Sequence, residues 1–277
     1  MSNLAQRLAT AAVLVPILII SLYVDPTAWS ILGLAALAQA LAHDEFLRMG
    51  LPVKAGERAA GLRAVVLACG LAIVLLSTAL GPAILLPMLL VSALLIGTTI
   101  LLRKHALQHA ARHLAVCLGS ILYVSVLASL WPMIKADQLG TTGASWLLVT
   151  LAIAFGSDTV AYFFGRAWGK HKLYPAVSPK KTWEGSMGGL VGGMLATCGF
   201  GSLWLLPELP LYHAIPLGIL GSSAGQVGDL VESMCKRGYG VKDSGNLLPG
   251  HGGMLDRIDA LLFVAPVIYL YLWLMQG

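Results

Sequence analysis

Residues Ser233–Asp259 read SMCKRGYGVKDSGNLLPGHGGMLDRID, a charged, glycine-rich stretch caught between long apolar segments at 212–235 and 257–275. It carries the cations Lys236, Arg237, Lys242 and Arg257, the carboxylates Asp243, Asp256 and Asp259, and His251 inside the run Pro249-Gly250-His251-Gly252-Gly253. Backbone without side chains can approach phosphate oxygens closely, lysine and arginine neutralise them, and carboxylates hold a divalent cation. The stretch therefore has the makings of a phosphate-and-metal site, and the segments around it have the makings of a membrane scaffold.

Composition supports the scaffold. Of 277 residues, 57% are hydrophobic and 11% charged, with mean hydropathy +0.80, whereas a soluble domain carries about 25% charged residues. The net charge of +5 does not indicate nucleic acid, because the cations fall in short loops between apolar spans, where the positive-inside bias places them. Cys69, Cys117, Cys198 and Cys235 lie in or at the ends of apolar segments without metal-ligand spacing and read as small buried hydrophobes.

A helix needs about 20 apolar residues to cross the hydrocarbon. Nine stretches qualify, near 9–24, 27–43, 61–80, 84–102, 114–134, 145–164, 186–206, 212–235 and 257–275. Two long spans before any polar loop argue against a cleaved leader. Arg7, the clusters Arg48 to Arg63 and Arg103 to Arg112, the cluster Arg166 to Lys181 and the cluster Lys236 to Arg257 fall on alternate loops, with Lys135 as the exception. The expectation is an all-α polytopic integral membrane protein with about nine transmembrane helices, a cytoplasmic N-terminus and a C-terminus outside. With no internal repeat, 1–277 reads as a single membrane domain, with 1–140 mainly scaffold and 145–277 carrying the chemistry. His43, Asp44 and Glu45, and His105, His109 and His113, read as solvated interfacial residues.

Ionisable residues enter the apolar spans only in the second half. A carboxylate at bilayer depth costs at least about 2.5 kcal/mol on insertion scales and usually faces a polar cavity, which singles out Asp158 and Asp229. Ser222, Gln226, Asp229, Ser233 and Lys236 share one helix face. Asp158 and Tyr162 lie one turn apart, and Gly165 permits close approach of another backbone. The loop that follows contains Ser178-Pro179-Lys180-Lys181-Thr182-Trp183-Glu184-Gly185, with lysines suited to a triphosphate, a hydroxyl donor and a glutamate at a helix start.

The pattern formed by Ser233, Lys236, Arg237, Lys242, Asp243, His251, Gly252, Gly253, Asp256, Arg257 and Asp259 resembles the signature of the phosphatidate cytidylyltransferases, or CDP-diacylglycerol synthases. The run from Ser178 to Gly185 resembles a second element of that family and of related CTP-using lipid enzymes. The resemblance implies transfer of the cytidylyl group of CTP to phosphatidic acid, giving CDP-diacylglycerol and pyrophosphate for phospholipid synthesis. It also implies a multi-pass protein of a bacterial-type inner membrane with its active site on the cytoplasmic side.

Nucleotidyl transfer between phosphates is mostly positioning and charge neutralisation. Asp229 and Asp256, on helix ends that a folded-back loop can bring together, are the expected Mg²⁺ ligands, with Asp259 as a third ligand or the seat of a second metal or monovalent ion. Lys236, Arg237, Lys242 and Arg257 are the expected phosphate clamps. Ser178, Lys180, Lys181, Thr182, Asp158, Ser233, Asp243, His251, Gly252 and Gly253 are expected to contact substrate. Expected partners are CTP, phosphatidic acid and the bilayer, with a homodimer left open and no nucleic acid. The competing readings are a CTP-dependent polyprenol or lipid kinase, an ion-coupled transporter using Asp158 and Asp229, and a lipid-binding polybasic scaffold.

Overall fold

A computed structural model describes residues 12, 16–24, 28–51, 59–103, 107–138, 141–247 and 252–276. Arg7, Lys54, Arg58, Lys104, His105, Pro249, Gly250 and His251 lie outside the described residues. After a helical stretch at 16–23 come α1 (Trp29–Gly50), α2 (Ala59–Leu80), α3 (Leu85–Leu102), α4 (Ala110–Ala136), α5 (Thr142–Trp168), α6 (Trp183–Leu205), α7 (Leu211–Gly238) and α8 (Leu255–Gln276). A π-helical segment interrupts α4 at Ile121–Val126, and another forms the C-terminal end of α6 at Thr197–Leu205. The all-helical expectation misses one element. Between α5 and α6, β1 (Lys172–Tyr174) and β2 (Ser178–Thr182) form an antiparallel hairpin that pairs Lys172 with Thr182 and Tyr174 with Ser178.

Among the described residues, six helices are long and apolar enough to cross a bilayer: α2 to α6 and α8. α1 and α7 form over segments read as spans, but Gln39, His43, Asp44 and Glu45 in α1 and Ser222, Gln226, Asp229 and Glu232 in α7 dilute their apolar character. Polar residues also point inward. On α3, Ser92 is buried while Leu94 and Leu101 are 71% and 82% exposed, the reverse of a water-soluble helix. All four cysteines are free thiols.

Packing divides the chain into two compact units, one of Met1–Ser21, Thr27–Met133 and Asp243–Asp256, the other of Leu22–Pro26, Ile134–Lys242 and Arg257–Gly277. The signature stretch is thereby divided. Asp243, Gly252, Gly253 and Asp256 belong to the first unit, and Lys236, Arg237, Lys242, Arg257 and Asp259 to the second.

In the first unit, α1, α2 and α4 meet around a buried polar network. Gln39 Nε2 donates to Ser125 Oγ at 2.9 Å and lies 2.9 Å from His43 Nδ1, while His43 Nε2 lies 2.8 Å from Ser120 Oγ. Gly70 of α2 makes room for it, since a Cβ there would sit 2.4 Å from Ser125 Oγ and 2.7 Å from His43 Nδ1. The reading of His43, Asp44 and Glu45 as solvated is therefore corrected. His43 and Glu45 are buried, and Asp44 pairs with Arg48 at 2.7 Å and with Arg63. Each has an internal partner, which offsets the cost of leaving water. His109 remains exposed, as expected.

In the second unit, glycines let helices approach to backbone contact, as small residues do in membranes. A Cβ at Gly192 of α6 would lie 2.5 Å from the Gly156 carbonyl of α5, and one at Gly193 would lie 2.5 Å from Ser222 Cβ of α7. Gly228 of α7 similarly faces the Asp259 carbonyl of α8, 2.6 Å from where a Cβ would be.

Candidate functional site

The close packing of α5, α6 and α7, with the hairpin at one end, leaves a cleft of about 400 Å³, within the size range of small-molecule sites. Its charged lining comprises Asp158 and Arg166 from α5, Lys180 and Lys181 from β2, and Asp229 from α7. Polar groups come from Tyr162, Thr182, Ser186 and Gln226.

The local structure follows from the residues. Thr182 ends β2 in extended backbone and begins α6, its buried hydroxyl oxygen accepting the Gly185 N–H at 3.1 Å, a standard N-cap. Glu184 accepts the N–H groups of Lys170 and His171 at 3.1 and 3.2 Å and lies 2.6 Å from His171 Nδ1. It therefore ties down the approach to the hairpin, and Thr182 is the cap. Gly165 takes the close approach expected of it, with Gly185 Cα 3.5 Å from where its Cβ would be.

Lys181 Nζ lies 2.7 Å from Asp229 Oδ2, both side chains a little under one-third exposed. Asp158, exposed toward the cleft, interacts electrostatically with Asp229, Lys181 and Arg257. Asp259 interacts with Asp229, Asp158 and Lys236. Three carboxylates and three cations thus share one electrostatic neighbourhood in the second unit. Gln226 braces α7 on α6, its amide donating to the Ser186 carbonyl at 3.1 Å and its oxygen receiving the Ser186 hydroxyl.

Lys236 is buried and paired with Glu232, so it is not an open clamp in this conformation. Arg237 is exposed and donates to the Val241 carbonyl at 3.0 Å, closing the turn after α7. Ser233 Oγ faces Asp229 Oδ1 at 3.4 Å. Lys242, Asp243 and Arg257 are exposed. Ser178 pairs with Tyr174 in the hairpin and does not line the cleft. In the first unit, Asp256 accepts the N–H groups of Gly253 and Ser244 at 2.9 and 3.1 Å, and Gly252 takes the left-handed φ of +81° that glycine adopts without strain. Arg166 and Ser186 were not singled out in the sequence. Arg166 is one basic residue in a basic loop, and Ser186 lies one residue past the basic run, so no local signal marked either.

Among the described residues no three histidine, cysteine or acidic side chains gather into a metal-holding group. Magnesium does not need one, since it is bound by one or two carboxylates with water and substrate oxygens. The acidic oxygens of Asp158, Asp229 and Asp259 are hard donors of the kind it takes.

The fold is a helical one with several helices long and apolar enough to cross a bilayer, and it carries a cleft lined by basic and acidic side chains. A model of the Cytidylyltransferase family matches residues 5–275, and the chain belongs to that family. It is similar to proteins named phosphatidate cytidylyltransferase from Staphylococcus saprophyticus (40% identical over 158 residues, 57% of this chain and 58% of the relative), Bacillus subtilis strain 168 (43% over 139 residues, 50% and 51%) and Staphylococcus haemolyticus (41% over 159 residues, 57% and 58%). The chain thus spans slightly more than half the length of these relatives.

Proposed function

We propose that this protein is a phosphatidate cytidylyltransferase, making CDP-diacylglycerol and pyrophosphate from CTP and phosphatidic acid. The observation that carries the reading is the cleft in which Lys180, Lys181 and Arg166 face Asp158 and Asp229. Family membership and the relatives' names support it.

Lys180, Lys181 and Arg166 bind the triphosphate, Lys181 exchanging its bond to Asp229 for one to phosphate. A non-bridging oxygen of the lipid phosphate attacks the α-phosphorus in line, a new P–O bond forms, and the bond to the bridging oxygen of the β-phosphate breaks with its electron pair leaving on pyrophosphate. The nucleophile is already an anion, so no side chain has to take its proton. Asp229 and Asp259 are proposed to hold Mg²⁺, as is Asp256 from the signature; when bound, the ion would supply neutralisation of phosphate charge and polarisation of the phosphate oxygens. Lys242, Arg257 and Asp243 are proposed contacts of the headgroups, as are Lys236 and Ser233. His251 is proposed to hydrogen-bond phosphate.

Nine spans, a cytoplasmic N-terminus and a cleft on the cytoplasmic side of the inner membrane complete the proposal, which substituted-cysteine accessibility on intact cells tests. The activity is tested by supplying labelled CTP, phosphatidic acid and magnesium to membranes containing the protein. Labelled CDP-lipid lost on chelation and restored by magnesium supports the reading. A phosphorylated alcohol with free CDP indicates a lipid kinase instead, and ion flux without either product indicates a transporter.

A further inference from the structure

One buried carboxylate of the first unit has no part in the proposed chemistry. Glu45 is 8% exposed. Its Oε1 accepts the Met254 N–H at 3.0 Å, and its Oε2 accepts the Leu255 N–H at 2.9 Å and the Ser244 hydroxyl at 3.0 Å. Met254 and Leu255 stand at the start of α8, where backbone N–H groups lack partners within the helix. Ser244 stands near the other end of the signature loop. A single side chain 199 to 210 positions upstream therefore fastens both ends of that loop.

The loop's sequence fits this fastening. A Cβ at Gly245 would lie 2.6 Å from Glu45 Oε1, and one at Gly253 would lie 2.5 Å from Glu45 Oε2 and 2.0 Å from Ser244 Oγ. No other residue type leaves space for the carboxylate at those two positions. Asp256 adds a second tie, bonding to the Ser244 and Gly253 N–H groups. Burying a carboxylate costs several kcal/mol before compensation. Here the compensation is three donors and the positive end of a helix, both of which favour an anion over a neutral amide.

We propose that Glu45 is a positioning residue for cytidylyl transfer, holding the signature loop and the start of α8 in the geometry that presents Asp256 and its neighbours. The inference rests on the activity proposed above. Glu45→Gln preserves shape but turns one acceptor into an NH₂ group facing N–H donors. Because a misplacement of about 1 Å can cost about 10²-fold in rate, the expected result is a fall in kcat of about 10- to 100-fold with KM for CTP changed by less than about threefold. Glu45→Asp keeps the charge and recovers part of the rate, and Ser244→Ala, which removes one of the three bonds, has a smaller effect. Hydrogen exchange of the full-length protein in detergent supplies a readout independent of turnover: in Glu45→Gln the amides of Met254 and Leu255 lose protection while α2 and α3 keep theirs. Wild-type kcat in Glu45→Gln, or unchanged protection at those amides, overturns the proposal. An inactive wild type would instead remove the activity reading, and the exchange comparison would still decide whether Glu45 fastens the loop.

Discussion

Glu45 and Asp229 are both carboxylates set among helices of a lipid-solvated protein, yet their surroundings are opposite. Glu45 is enclosed and satisfied by three donors that belong to the protein itself. Asp229 faces a cleft, and besides the Ser233 hydroxyl it contacts a lysine side chain on a hairpin, a flexible point charge that a phosphate can draw away. A carboxylate saturated by two backbone N–H groups and a serine hydroxyl fixes structure. One balanced by a displaceable cation is poised for a ligand.

The comparison is sharpened first on the cleft side. Lys181→Ala should lower kcat/KM for CTP by about 10²- to 10³-fold, the usual cost of deleting a charge-stabilising group, and Lys181→Arg should not restore it, because a planar fork cannot replace a compact ammonium ion. An arginine variant with full activity would reduce the cleft to a polybasic surface. On the fastened side, Gly253→Ala forces a methyl against Ser244 and Glu45 and should cost about tenfold or more in turnover, whereas Gly199→Ala, with nothing within 4 Å of the added methyl, should retain wild-type turnover. Equal turnover in the two variants would erase the distinction.

Smaller effects are expected where a side chain's bonds brace the junction of the hairpin with α6. Thr182→Ala removes an N-cap worth about 1 kcal/mol, which for a chain of this size lowers Tm by about 2–4 °C, measured by thermal scanning in detergent. His171→Ala breaks an exposed pair with Glu184 and should leave both Tm and CTP turnover unchanged, since exposed pairs contribute little.

The cleft was largely legible in the sequence because its chemistry is expensive to place. Asp158 and Asp229 stand out as acids in apolar spans, and the run from Ser178 to Gly185 keeps its lysines, hydroxyl and glycine together. The hairpin was hidden because the same run reads equally well as a loop between spans. Glu45 was hidden for a different reason. In sequence it ends an apolar stretch beside Asp44 and Arg48, where charge normally means water, and its partners lie about 200 positions away. Its signal was the apolar pair that follows it, Phe46 and Leu47, both buried. The six sufficiently apolar helices show a similar limit: α7 carries enough polar side chains that hydropathy alone does not mark it as a span.

The central claim is that Asp229 and its cleft serve cytidylyl transfer. It is tested most directly by incubating labelled CTP and phosphatidic acid with membranes containing wild type or Asp229→Asn at equal expression. The account predicts CDP-diacylglycerol from wild type and about a thousandfold less from the variant; wild-type synthesis by Asp229→Asn would contradict it.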